Sequence, residues 1–141
     1  MLEAAVKASA NSGESPIILA VTVLTSLKDS DLPEIGISAS VTEHAIRLAQ
    51  LAKTAGCQGV VTSPREAAAL RKELGPDLLI VTPGVRPAGG ANGDQARVST
   101  PAQAIAAGAS HIVVGRPITG SKDPAAAARA IVEEIAGAFR S

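Results

Sequence analysis

The sequence predicts an α/β fold that is built on a parallel sheet. Four short apolar segments, at residues 17–24, 59–62, 78–82 and 111–114, are rich in Val, Ile and Leu without polar alternation, which is typical of strands buried on both faces. Longer alanine-rich segments with helical periodicity lie between them. Because parallel neighbours need a crossover connection, this alternation predicts right-handed βαβ units.

Capping residues mark the ends of the predicted helices. A hydroxyl or carboxylate residue opens each helix that follows a strand or loop, with a capping-box partner three residues later in the first three: Ser40 with Glu43, Ser63 with Glu66, Thr100 with Gln103, and Asp123 followed by Pro124. Gly56, Gly75 and Gly108 follow helices, as left-handed capping glycines do. The first helix is predicted from Leu2 to about Ala10, and the last over residues 124–139.

Composition indicates one globular domain over residues 1–141. Hydrophobic residues make up 46% and charged residues 18%, and thirteen basic residues balance thirteen acidic ones. That balance argues against a broad nucleic-acid-binding face. Cys57 is the one cysteine, so no intramolecular disulfide forms and a cytoplasmic location is expected. We find no signal peptide and no apolar run of membrane-spanning length.

Four consecutive parallel strands are half of a closed (β/α)₈ barrel, which needs eight strands and typically about 250 residues. The predicted architecture is therefore a half-barrel, treated as a single partial domain. Such a half would expose two strand edges and an apolar concave face, both of which favour association. We therefore expect a homo-oligomer or pairing with a missing N-terminal half.

Residues 81–87, Val-Thr-Pro-Gly-Val-Arg-Pro, form the most informative segment. A buried strand ends, Pro and Gly turn the chain, and Arg86 follows at the strand's carboxyl end, where barrels and open α/β sheets bind ligands. The polar, glycine-rich residues 88–95 come next, and long loops of this kind are more often lids or binding loops than plain connectors. Gln95 could donate its amide to a phosphate oxygen. The alternatives are a surface arginine and a solvated glutamine.

Gly115 and Arg116 follow the last strand. Glycine lets a backbone N–H approach an anion closely, and arginine supplies a bidentate, permanent charge. Barrels often bind phosphate with the loops after strands seven and eight. If the chain supplies strands five to eight, these loops carry Arg86, Gln95, Gly115 and Arg116, which favours one shared phosphate site.

Acid–base and metal-binding groups are sparse. Thr25 and Ser26 end the first strand and would face the same mouth, although simple turn chemistry also explains them. His44, His111 and Cys57 have unrelated spacings that make no metal site. The strand ends supply groups that bind a ligand rather than groups that transfer protons.

These segments resemble orotidine 5′-phosphate decarboxylases over the whole chain, in order. Residues 21–26 look like strand five of that family, residues 59–63 like strand six, and residues 115–119 like strand eight. Residues 81–87 followed by Gly93-Asp94-Gln95 and Arg97 are similar to the strand-seven motif and its phosphate loop. The spacing from Pro-Gly-Val-Arg-Pro to Gly-Asp-Gln is the most specific feature.

The resemblance implies a lyase of pyrimidine biosynthesis that converts orotidine monophosphate to uridine monophosphate and CO₂ without cofactor or metal. By resemblance, Gln95, Gly115 and Arg116 would hold the 5′-phosphate, with Arg86 beside them. Thr25 and Ser26 would lie near the pyrimidine, and Pro83 would pack near the base. The nucleotide is then the expected small-molecule partner.

The sequence departs from the family in one respect that matters for catalysis. Nothing in it matches the catalytic Asp-x-Lys-x-x-Asp run, since Lys28, Asp29 and Asp31 have the wrong order and spacing. No catalytic residue is therefore assigned in this chain, and the isolated chain is predicted to be inactive. Two alternatives stay open: a non-catalytic phosphate-binding half-barrel that self-associates, and another phosphate-sugar barrel enzyme of the same superfamily.

Overall fold

A computed structural model of the chain describes residues 1–87 and 99–139. Four strands, β1 (Leu19–Val21), β2 (Gly59–Val61), β3 (Leu79–Thr82) and β4 (His111–Ile112), form a parallel sheet in the order β1-β2-β3-β4. The helices are α1 (Leu2–Ala10), α2 (Val41–Thr54), α3 (Pro64–Leu74), α4 (Pro101–Ala106), α5 (Arg116–Thr119) and α6 (Pro124–Ala138), with a 3₁₀ turn at Pro33–Ile35. The predicted α/β fold with a parallel sheet is confirmed, although its strands are shorter than predicted.

The predicted N-cap residue accepts a backbone N–H at all four helix starts. Both reciprocal bonds of a capping box are present at α2 and α4, and Asp123 accepts from the N–H of Ala126 at 2.9 Å. At α3 the capping-box prediction was wrong. Ser63 accepts from the N–H of Arg65 instead, and Glu66 is only 2% exposed.

Hydrogen bonds to carboxylates fix the segment between β1 and α2. An oxygen of Asp29 accepts from the backbone N–H of Val41 at 2.6 Å, which ties this segment to the first turn of α2. Asp31 accepts from the N–H of Lys28 at 2.8 Å. This backbone bond, followed by the hydroxyl of Ser30, lowers the pKa of Asp31. Lys28, Asp29 and Asp31 thus belong to a structural turn.

The two faces of the sheet have different surroundings. Ala20, Val60 and Ile80, at most 7% exposed, lie under the helices in the main core. The alternate strand residues form the opposite face, which we call the open face; it comprises Leu19, Val21, Gly59, Val61, Leu79, Val81, His111 and, one residue past β4, Val113. Val21 is 60% exposed there.

Among the described residues, no helix has the length and apolar character needed to cross a membrane.

Gly59 is needed because β1 and β3 approach it closely on the open face. A Cβ built on Gly59 would lie 2.6 Å from the Cδ2 of Leu19 and 2.6 Å from the carbonyl oxygen of Leu79. We expect Gly59→Ala to lower the free energy of unfolding by about 2–3 kcal/mol, since the backbone of β3 must move. Urea denaturation measures this, with Gly13→Ala as the control because its Cβ would meet nothing within 4 Å. Equal midpoints for the two variants would contradict this explanation.

Candidate functional site

The carboxyl ends of the four strands meet at one edge of the sheet. Interstrand bonds continue for one residue beyond the strands: Thr22 N–H donates to Val61 at 3.0 Å, Thr62 N–H to Val81 at 3.1 Å, and Val113 N–H to Thr82 at 2.9 Å. The following residues therefore leave the sheet side by side. Within the described residues, this edge carries the predicted site residues at 25, 26, 83, 86, 115 and 116.

A small cavity of about 80 Å³ lies at the β1–β2–β3 part of this edge. Its lining is mainly apolar and consists of Val21, Val23, Leu24, Thr25, Val61, Thr62 and Pro83. Two of the predicted residues, Thr25 and Pro83, thus line one cavity. Typical ligand pockets have volumes of roughly 300–1,000 Å³, so this cavity by itself is smaller than a typical ligand pocket.

Thr25 and Ser26 have different positions in the turn that follows β1. The N–H of Leu27 donates to the carbonyl of Leu24 at 3.1 Å and closes a turn with Thr25 and Ser26 at its centre. Thr25 is half-buried and lines the cavity, whereas Ser26 is exposed and lies outside the lining. Both residues sit at the predicted edge, and only Thr25 faces the cavity.

Arg86 follows a firmly anchored residue after β3. Val85 is fully buried and forms a parallel bridge with Ser99, and the N–H of Arg86 donates to Ser99 at 2.9 Å. The guanidinium Nη1 donates to the carbonyl of Val85 at 3.0 Å. A guanidinium has five N–H donors, so this bond leaves others that can be offered to an anion.

Gly115 and Arg116 leave the next strand and start α5. Both are exposed, and the carbonyl of Gly115 accepts from the N–H of Ile118 at 2.9 Å. A Cβ on Gly115 would meet nothing within 4 Å, so the packing of the protein does not itself require glycine there. The open space beside this backbone is compatible with the close approach of a ligand.

Two residues of the predicted phosphate loop, Gln95 and Arg97, lie outside the described residues.

Sequence reasoning missed Thr62, which lines the cavity and is 1% exposed. Its hydroxyl oxygen is buried without a hydrogen-bond partner in the described part of the chain. Its position directly after β2, equivalent to that of the residues after β1 and β3, was the signal available in the sequence.

Within residues 1–87 and 99–139, no group of three His, Cys, Asp or Glu side chains comes together as a metal ion would require. The predicted site residues that lie at the carboxyl edge supply hydroxyls, guanidinium groups and apolar side chains. Such groups can bind a ligand with an anionic end and a less polar end.

Comparisons with known proteins identify the family of the chain. A sequence model of the orotidine 5′-phosphate decarboxylase / HUMPS family matches residues 1–131. Orotidine 5′-phosphate decarboxylase of Halorhodospira halophila is 57% identical over 138 residues, covering 98% of this chain and 58% of that protein. The Moorella thermoacetica decarboxylase is 56% identical over 130 residues, covering 92% and 52%. The chain thus spans just over half the length of these relatives.

Solved structures that match this chain belong to the same family as its sequence relatives. The crystal structure of the Lactobacillus acidophilus orotidine 5′-phosphate decarboxylase matches with a TM-score of 0.79 and 40% identity, covering 96% of this chain and 58% of that one. A decarboxylase structure from Sulfolobus solfataricus, at 19% identity and a TM-score of 0.65, shares the fold. Family model, sequence relatives and fold coincide over nearly all of the chain, which makes it a member of the orotidine 5′-phosphate decarboxylase / HUMPS family.

Proposed function

We propose that this chain is the nucleotide-binding part of an orotidine 5′-phosphate decarboxylase. Its strands β1 to β4 are strands five to eight of the barrel, and α1 is the helix that precedes strand five. The observation that carries the proposal is made at the carboxyl edge of the sheet. The cavity lined by Thr25 and Pro83 lies at this edge, and so do Arg86 and Arg116 in the loops after β3 and β4.

The pyrimidine end of the ligand lies over β1, β2 and β3. The cavity there is lined mainly by aliphatic side chains, which suit the faces of a planar ring, and by the half-buried Thr25. Ser26 adds a second hydroxyl at the rim. Pro83 forms a rigid apolar wall, so the base would be positioned by shape on one side and by hydroxyl groups on the other.

The phosphate end lies over β3 and β4. Arg86 follows β3 and Arg116 follows β4, and these strands are neighbours in the sheet. β1 and β4 are three strand spacings apart, about 14 Å, so a ligand that reaches both ends must be extended, as a nucleotide is. Gln95, outside the described residues, would close over the phosphate with the backbone of Gly115.

The names of the relatives favour decarboxylation over another phosphate-sugar reaction. The relatives at 57% and 56% identity are both named as decarboxylases. The chain spans only part of their length, and its sequence contains no Asp-x-Lys-x-x-Asp run. The proposed role of this chain is therefore to bind and orient the nucleotide, while the rest of the barrel supplies the acid–base groups.

Calorimetric titration with uridine monophosphate tests the binding role. We expect the wild-type chain to bind the nucleotide and to bind uridine, which lacks the phosphate, far more weakly. Arg116→Ala should weaken nucleotide binding about tenfold to a hundredfold, because a charge-assisted hydrogen bond contributes about 1.5–3 kcal/mol.

The control for this titration is Arg47→Ala, which removes an exposed arginine from α2. It should leave nucleotide binding unchanged. Equal affinities for uridine and uridine monophosphate, or equal losses in Arg116→Ala and Arg47→Ala, would contradict a phosphate site at this edge.

A further inference from the structure

The connection from β1 to α2 carries the two hydroxyl residues of the candidate site. It spans residues 22–40 and, apart from the 3₁₀ turn at Pro33–Ile35, has no regular secondary structure. Connections of more than about 12–15 residues are uncommon in compact domains and usually have a function. The proposed function uses Thr25 and Ser26, which leaves the acidic residues that follow them, Asp29 and Asp31, without a role in the site.

Two turns follow one another directly in this connection. The first, which we call the site turn, spans residues 24–27 with Thr25 and Ser26 at its centre, and a bond of 3.1 Å from its last N–H to its first carbonyl closes it. The second, the acidic turn, spans residues 28–31 and is closed in the same way at 3.0 Å. Because no residue separates the two turns, a movement of the acidic turn displaces the site turn.

The side chain of Asp31 reinforces the acidic turn. Its Oδ2 accepts from the N–H of Lys28 at 2.8 Å, and its Oδ1 accepts from the hydroxyl of Ser30 at 3.0 Å. The backbone of Lys28 is thus bonded to Asp31 through both its N–H and its carbonyl. This carboxylate therefore fixes the end of the acidic turn that adjoins the site turn.

The side chain of Asp29 ties the acidic turn to α2. Its Oδ1 accepts from the N–H of Val41 at 2.6 Å. Val41 is the first residue of the helix and is 4% exposed, and farther along Ala45 and Ala49 are fully buried. The first N–H groups of a helix have no partner inside the helix, and a negative charge is favourable there. Asp29 therefore connects the acidic turn to an element that core packing holds in place.

We propose that Asp29 and Asp31 are positioning residues of the nucleotide site, which hold the site turn where Thr25 lines the cavity. Neither carboxylate is among the described residues that line the cavity, so both act through the backbone rather than by touching the ligand. Side chains that contact a ligand must be held within about 0.5 Å by the residues behind them. The contact of Thr25 and Ser26 with the pyrimidine rests on the proposed function, whereas the hold of the two carboxylates on the site turn does not.

Hydrogen exchange without nucleotide tests whether the carboxylates hold the site turn. In the wild-type chain, the amide of Leu27 donates to the carbonyl of Leu24, and this bond slows its exchange. We expect Asp29→Ala and Asp31→Ala each to raise the exchange rate of the Leu27 amide by about tenfold, the size of effect that one lost hydrogen bond to a charged group produces.

Two kinds of control make this exchange test specific. Asp29→Asn and Asp31→Asn keep an oxygen acceptor, so they should restore most of the protection. Asp77→Ala should leave exchange at Leu27 unchanged, because Asp77 is an exposed aspartate at the opposite edge of the sheet, shortly before β3. An exchange rate at Leu27 that is the same in the wild type and in both alanine variants would overturn the proposal.

Titration separates positioning from a general loss of structure. Ribose 5-phosphate has the sugar and the phosphate of uridine monophosphate but lacks the base. Both alanine variants should bind uridine monophosphate about tenfold more weakly than the wild type and should bind ribose 5-phosphate equally well. Equal losses for the two ligands would overturn the positioning role, because the defect would then not lie at the base.

The two measurements also separate this proposal from the proposed function. A wild-type chain that binds neither ligand would overturn the proposed function, and exchange at Leu27 would still decide whether the two carboxylates hold the site turn. Alanine variants that exchange faster at Leu27 and yet bind uridine monophosphate as the wild type does would overturn the positioning role alone.

Discussion

The chain alone is expected to leave orotidine monophosphate unreacted. A positioned general acid contributes about 10²–10⁴-fold to the rate of a reaction. The strand ends of this chain supply hydroxyl and guanidinium groups instead of such an acid. The measurement is the loss of the pyrimidine absorbance of orotidine monophosphate, with the longer Halorhodospira halophila decarboxylase as the positive control. Turnover well above the uncatalysed background would show that an Asp-x-Lys-x-x-Asp run is not required.

The same assay can be run after adding a polypeptide that contains the relative's residues outside the matched region. We expect decarboxylation to appear, because under the proposed function one polypeptide binds the nucleotide and the other supplies the acid–base groups. The Arg116→Ala chain, mixed in the same way, should give a much lower rate. Equal rates with both chains would mean that this edge does not hold the phosphate.

Arg71→Met is expected to lower the free energy of unfolding by about 3 kcal/mol, because charged hydrogen bonds contribute about 1.5–3 kcal/mol each and several are lost. The Nη1 atom of Arg71 donates to the carbonyls of Gly75, Pro76 and Leu78 at 2.8–2.9 Å. Nη2 donates to the carbonyl of Gly108 at 2.8 Å. One side chain therefore holds both the α3–β3 and the α4–β4 connections.

Thermal or urea denaturation measures this loss. Lys72→Met is the control, since Lys72 is exposed on the same helix and its removal should cost little. Arg71 lies at the edge opposite the candidate site, so the folded variant should keep its nucleotide affinity. A loss of affinity without a loss of stability would contradict this structural role.

Local patterns in the sequence predicted most of the fold. The apolar segments placed all four strands, and the capping boxes at Ser40 and Thr100 placed two helix starts. Gly56, Gly75 and Gly108 have the expected positive φ angles, although the ψ of −178° at Gly75 lies outside the left-handed helical region. Each of these features depends on residues within a few positions of one another, so the chain itself encodes them.

Features that depend on tertiary packing could not be predicted. Glu66 has capping-box spacing, yet α3 has no capping box and Glu66 is almost fully buried. The role of Arg71 depends on carbonyls up to 37 residues away, which no local pattern indicates. Thr62 lines the cavity because the register of the sheet places it there. The sequence alone indicated only that Thr62 lies at the end of a strand.

Nuclear magnetic resonance mapping of bound uridine monophosphate tests the central claim most directly. We expect the backbone amide signals of Thr25, Ser26, Arg86, Gly115 and Arg116, at the carboxyl edge, to shift on titration. The amides of Gly75 and Ser110, at the opposite edge, should not move. Shifts that cluster at that opposite edge, or no shifts at saturating nucleotide, would contradict a nucleotide site built from the loops after β1, β3 and β4.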